Sequence, residues 1–247
     1  MLSALIPLEM LVTIVVLAIV FLFNRTGCNW VQRCLLGSKR TAMQPLYCAT
    51  LVGLVALIGV VGLSLIFGVA QPRFGDEFSN LLLSDTLVRG RLVNPVHPLW
   101  IQFETFHVLQ QPVYASKFPP GQGLMLAIGR LIGGHPIVGV WMTVAITFIA
   151  ICWMLQAWVP RRWALLGALL GMIQVRFVDL PFVPSGILGY WSQSYWGGSL
   201  AALGGALVFG ALIRLMRVPR VRHALLLGLG LVILANTRPF EGLVVSI

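Results

Sequence analysis

Between Thr41 and Pro72 the chain carries no charged side chain at all. A stretch of about 20 such residues, wound as an α-helix, already crosses a hydrocarbon core about 30 Å thick. Lipid offers the backbone no water to bond to, so a single segment that spans it must be helical. Composition points the same way, because 58% of the residues are hydrophobic and only 10% are charged, far from the usage of a soluble domain. The opening run from Leu2 to Phe23 is interrupted only by Glu9. It lacks the basic leading region of a secretory signal and reads as a retained helix. Further apolar candidates are Ile137 to Trp158, Trp163 to Val178, Trp196 to Ile213 and Ala224 to Asn236. Gly121 to Ile132 is too short for a comfortable span and contains Arg130, so a helix lying along or dipping into the interface is expected there. The fold class this implies is all-α: a polytopic transmembrane helix bundle, residues 1–247 forming one domain, with a long outer loop over residues 73–120 that contains juxtamembrane helices.

The placement of basic residues sets an expected orientation. Arg25, Arg33, Lys39 and Arg40 fall in one connection, Arg161 and Arg162 in the next alternate one, and Arg214, Arg217, Arg220 and Arg222 in a third, with no acid among them. Unbalanced Lys and Arg mark cytoplasmic connections. The loop at Arg73 to Pro120 and the one around Asp179 to Tyr195, where acids are mixed in, then face outward. The net charge of +10 follows from this signal and from attraction to anionic headgroups, so no nucleic-acid partner is implied. The bilayer itself is the partner that composition demands.

The remaining patterns are mostly about packing. Cys28 and Cys34 lie in the first basic connection and Cys48 and Cys152 inside apolar runs, with no spacing that suggests a zinc site or a disulfide framework. Ala202, Ala206 and Gly210 recur every four residues, a small-residue stripe that lets a neighbouring helix approach closely. Tyr190, Trp191, Tyr195 and Trp196 are interleaved with Ser192, Gln193 and Ser194. This cluster suits an aromatic belt at headgroup level, and it equally suits a sugar ring held between aromatic faces and hydroxyl or amide groups. The chain stops within the apolar stretch Leu243 to Ile247, and on that ground it is expected to be the N-terminal part of a longer protein.

Chemistry is concentrated in residues 73–120, which hold Asp76, Glu77, Asp85 and Glu104, four of only seven acidic residues. Asp76 and Glu77 follow the end of an apolar helix by a few residues. A carboxylate held near a low-dielectric boundary can gain proton affinity and act as a general base. The alternative is that they open a helix, with Phe78 to Val88 as its body, since acids are favoured in a first helical turn. His97, His107 and Lys117 add groups able to donate to an anion, and Pro119-Pro120-Gly121 makes a rigid turn back to the membrane. Taken singly, His97 and His107 read as local hydrogen-bonding residues.

Several of these residues occur in a familiar order. An apolar helix followed by Gly75-Asp76-Glu77-Phe78, then Gly90-Arg91-Leu92, Asn94-Pro95 and Tyr114-Ala115-Ser116-Lys117-Phe118-Pro119-Pro120-Gly121, resembles the first outer loop of C-type (GT-C) membrane glycosyltransferases. Protein O-mannosyltransferases and aminoarabinose transferases share that layout. Tyr190 to Gly198 and Arg238-Pro239-Phe240-Glu241-Gly242 resemble a bacterial branch of the same superfamily. Lys117 lies one residue earlier than a strict Lys-Pro-Pro element would place it, because Phe118 intervenes.

The resemblance implies an inverting transferase that moves a sugar from a polyprenyl-phosphate donor to a hydroxyl acceptor at the outer face of a bacterial inner membrane. It implies Asp76 and Glu77 as catalytic residues, with Asp76 the base and Glu77 in support, and Lys117, Arg91, His97, Tyr114, Tyr195 and Trp196 as substrate-binding residues. Lys117 or Arg91 would neutralise the departing lipid phosphate, although a lysine beside a membrane can instead simply reach for headgroups. No cofactor is implied beyond the lipid-linked donor, and no metal is expected to be essential. Two other readings stand beside this one. One is a polyprenyl-lipid transporter or flippase, which would place broken helices and charges near the bilayer midplane. The other is a catalytically incomplete fragment of such a transferase.

Overall fold

The computed structural model describes residues 45–172 and 191–246. The expected helix at Leu2 to Phe23, the first basic connection with Cys28 and Cys34, and the loop from Asp179 to Tyr190 lie outside them. The described chain is mostly helical. Its helices are α1 (Pro45–Phe67), α2 (Gly75–Val88), α3 (Pro120–Gly133), α4 (Ile137–Trp158), α5 (Arg161–Met172), α6 (Gly198–Arg217), α7 (Val221–Ala235) and α8 (Pro239–Ser246). Between α2 and α3 lie a 3-10 turn, Trp100–Phe103, and a two-stranded antiparallel hairpin of β1 (Val108–Leu109) and β2 (Ala115–Ser116). Three helices, α1, α4 and α6, are long and apolar enough to cross a membrane. Helix α7 is apolar but shorter, and α5 covers the first part of the stretch expected from Trp163 onward.

Helix α4 is the centre of the bundle, packing against α1, α3, α5 and α6. Small side chains permit the close contacts. Gly53 of α1 faces Ile149 of α4, Gly210 of α6 faces Trp153 and Met154, and Gly204 of α6 lies against Gly230 of α7. The small-residue stripe of α6 is therefore an interhelical surface: Ala206 and Gly210 are turned toward α4, with Ala206 in one buried cluster with Ala150, Leu200 and Leu203. Without a hydrophobic force between helices in lipid, such packing and interhelical hydrogen bonds hold the bundle. Thr147 supplies one by donating to the Ser199 carbonyl at 2.9 Å.

Contacts along α4 fix the directions of its neighbours. Gln156, near its C-terminus, donates to the Pro45 carbonyl at the start of α1, while Trp141, near its N-terminus, donates to Ser64 near the end of α1. Those two helices are antiparallel. Thr147 meets Ser199 and Trp153 meets Arg214, so α4 and α6 run parallel. Arg161, Arg162, Arg214, Arg217, Arg220 and Arg222 are thereby gathered at one end of the bundle, with the start of α1. The loop between α1 and α3 is at the other end.

Helix α3 stays at that loop end. Its 14 residues measure about 21 Å, short of a span. Gly121 donates to the Asn236 carbonyl at the C-terminus of α7, and Gly129 presses its backbone on that of Gly139 at the start of α4. Gly134 takes the left-handed conformation, φ 76°, that turns the chain from α3 into α4.

Candidate functional site

The site begins with the way α2 starts. The helix opens at Gly75, three residues before the Phe78 start suggested by sequence, so Asp76 and Glu77 both belong to its first turn. Glu77 is 3% exposed. Its Oε2 accepts the Arg73 N–H at 2.6 Å and the Phe74 N–H at 3.4 Å, the reach-back of a capping box. Its Oε1 accepts the Tyr195 N–H at 3.2 Å. The carboxylate therefore joins the helix start to the segment leading into α6.

Tyr195 is clamped from every side. Its carbonyl accepts from Asn80 Nδ2 and Gln122 Nε2, each at 3.2 Å, and its hydroxyl donates to the Ala70 carbonyl at 2.9 Å. Burial, reinforced by the Glu77 charge, pushes its phenol up to about 12. The ring is 2% exposed and presents no open face to a ligand. Trp196 packs on Phe74, ring centroids 5.3 Å apart. The bonds of Tyr195 tie α2 and α3 to the segment leading into α6.

Asp76 points elsewhere. Its Oδ1 lies 2.8 Å from His107 Nδ1, with the carboxylate side chain 43% and the imidazole 32% exposed; the contact is close but lacks the alignment of a hydrogen bond. The imidazole is held by its surroundings, stacked on Phe118 at 5.9 Å, edge-on to Phe106 at 5.4 Å, and pressed on Gly75, where any side chain would collide with it. The hairpin brings His107 there. Ser79 donates from α2 to the His107 carbonyl at 2.7 Å and accepts from the Ser116 hydroxyl at 2.8 Å, and Ser116 in turn accepts the Phe118 N–H at 3.1 Å. Lys117 donates its N–H to the same His107 carbonyl, and its Nζ lies 5.0 Å over the Phe106 ring.

The loop and α2 enclose a cleft of about 520 Å³ lined by Gly75, Phe78, Ser79, Leu82, His97, Phe103, Thr105, His107, Val108, Gln110 and Tyr114. Two of the expected binding residues, His97 and Tyr114, line it. Tyr114 is placed by a reciprocal backbone pair with Asn94, and Asn94 Nδ2 donates to Thr86 near the end of α2 at 2.6 Å. His97 accepts the Leu99 N–H on Nδ1 at 3.1 Å and meets Phe103 edge-on at 5.2 Å.

Arg91 is not brought to Asp76. It follows the C-terminus of α2, which carries it about 20 Å along the helix axis from the first turn. Lys117 is the one expected phosphate-binding residue close to the Asp76–His107 pair. Three groups went unselected by sequence reasoning: Ser79, Gln110 and His107 as a partner of Asp76. Of these only His107 carried a signal, as a titratable residue in the acidic loop. Among the described residues no three His, Cys, Asp or Glu side chains converge as a metal site would require.

Comparison of the chain with protein-family models, with curated proteins and with solved structures gives no significant match.

Proposed function

We propose that this chain is an integral membrane glycosyltransferase that takes a sugar from a polyprenyl-phosphate donor and passes it to a hydroxyl acceptor at the membrane surface. The observation that carries the reading is Asp76: a half-exposed carboxylate just beyond a spanning helix, 2.8 Å from His107 at the edge of a cleft, at the end of the bundle opposite Arg161, Arg162 and the arginines between α6 and α7. In this reading Asp76 takes the proton of the acceptor hydroxyl as that oxygen bonds to the anomeric carbon, and the bond from that carbon to the lipid phosphate breaks with inversion. His107 holds the carboxylate in place. Lys117 offers positive charge to the departing phosphate.

The resemblance of the loop to GT-C transferases supports the reaction class, and the positive-inside rule supports a loop facing the outside of a bacterial inner membrane. The charge-free interiors of α1 and α4 favour a surface active site over a transporter with charges at the midplane. The test is to incubate membranes containing the full chain with radiolabelled polyprenyl-phosphate sugars. Transfer from one donor, lost in Asp76→Asn, is the expected result; transport of a labelled polyprenyl lipid without sugar transfer would favour the flippase reading instead.

A further inference from the structure

The wall of the cleft contains no carboxylate, lysine or arginine. Asp76 touches His107 but does not itself line the space, and Lys117 lies over Phe106 outside it. What the wall does offer is neutral hydrogen-bonding chemistry beside aromatic and aliphatic faces. Gln110 is 6% exposed, its Nε2 donates to the Phe103 carbonyl at 2.8 Å, and its Oε1 has no partner. That oxygen is closed off from solvent, so Gln110 shapes the wall of the cleft rather than offering it an acceptor. Because His97 Nδ1 accepts a backbone N–H, a neutral imidazole there carries its proton on Nε2, which is then a donor. Tyr114 adds a phenol, and Phe78 and Phe103 add ring faces.

From this we infer that the cleft is a binding site for an uncharged, hydroxyl-bearing ring, a neutral sugar, with His97 and Tyr114 bonding to its hydroxyls. The volume suits one or two such rings. A cationic amino sugar, an anionic uronate or the donor phosphate would lose hydration on entering and find no carboxylate, lysine or arginine in the wall to pair with. The phosphate is therefore left to the Lys117 side, outside the cleft. The inference deepens the transferase reading and rests on it for the ligand's being a sugar.

Saturation-transfer-difference NMR on the full chain in lipid nanodiscs, with empty nanodiscs as reference, provides the test. The probes are methyl α-mannopyranoside and methyl β-glucopyranoside, set against methyl glucosaminide and methyl glucuronide. The neutral glycosides should bind at least about tenfold more tightly than the charged pair. Tyr114→Phe should weaken them by about tenfold, the value of one hydrogen bond. A second variant tests the space itself. Thr105→Trp fills the cleft from an exposed position and should abolish the signal with folding intact. Absence of binding by both neutral glycosides, equal binding of the charged ones, or undiminished binding in Thr105→Trp overturns the inference. Sugar transfer unaffected by Thr105→Trp would sink the site and leave the transferase standing, whereas selective binding without transfer from any donor would do the reverse.

Discussion

Because successive residues of an α-helix project about 100° apart, Asp76 and Glu77 leave the first turn of α2 in different directions. Glu77 turns inward to three backbone N–H groups, so Glu77→Ala leaves buried donors unsatisfied. It should lower stability by about 2–3 kcal/mol, read as a fall in the thermal midpoint in detergent; an unchanged midpoint would contradict the capping role. Asp76→Asn should leave that midpoint nearly unchanged while turnover falls on the order of 10²-fold, as loss of a general base requires. Full turnover in that variant would move the base to another group. Tyr195→Phe, which removes the bond to Ala70, should cost about 1 kcal/mol at neutral pH. The folded pKa of Tyr195 is raised from 10.0 to about 12. Its contribution is therefore complete below pH 10, and the gap between wild type and variant should close as the pH rises through about 12. Unfolding curves for the pair across that range check the sign.

At the scale of elements, α3 is held by backbone proximity more than by charge. Gly129 and Gly139 let α3 and α4 meet main chain to main chain, and neither position has room for a methyl group. Gly139→Ala should cost about 1–3 kcal/mol through overpacking, whereas Arg130→Gln, which removes a half-exposed ion pair between α3 and Asp85 of α2, should cost less than about 1 kcal/mol. Chemical-denaturant midpoints of the two variants give the order, and a larger loss in Arg130→Gln would reverse this account of the α2–α3–α4 contact. The hairpin depends on α2 in a comparable way. Ser79 is fully buried and bonds both the His107 carbonyl and the Ser116 hydroxyl, tying the hairpin to α2.

For the molecule as a whole, arginine-only connections lie at one end of the bundle and mixed charges at the other. Arg214 closes the arginine end by donating to the Gly210 and Trp153 carbonyls while its guanidinium lies 3.9 Å over the Trp153 ring. The long loop occupies the other end. Single cysteines placed at positions 217 and 104 of a cysteine-free protein should accordingly react with an impermeant maleimide from opposite faces, position 104 from outside. Labelling of both from one face would contradict the spanning arrangement, and labelling of 217 from outside would invert the orientation.

Much of this was present in the chain before it folded. The charge-free run at Thr41–Pro72 required a helix across lipid, and Ile137–Trp158 was delimited at both ends, because apolar length is a one-dimensional property that a sequence displays directly. The alternation of arginine-rich connections with apolar runs carried the two-ended arrangement for the same reason. Tertiary structure alone gave Asp76 and Glu77 their separate partners, buried Tyr195 behind Ala70 and placed His107 beside Asp76. The cleft too is assembled from α2, the 3-10 turn and the hairpin, segments up to 39 residues apart between Gly75 and Tyr114. A carboxylate's role depends on which donors reach it in space, and a short, irregular loop gives no periodicity from which those partners could be read.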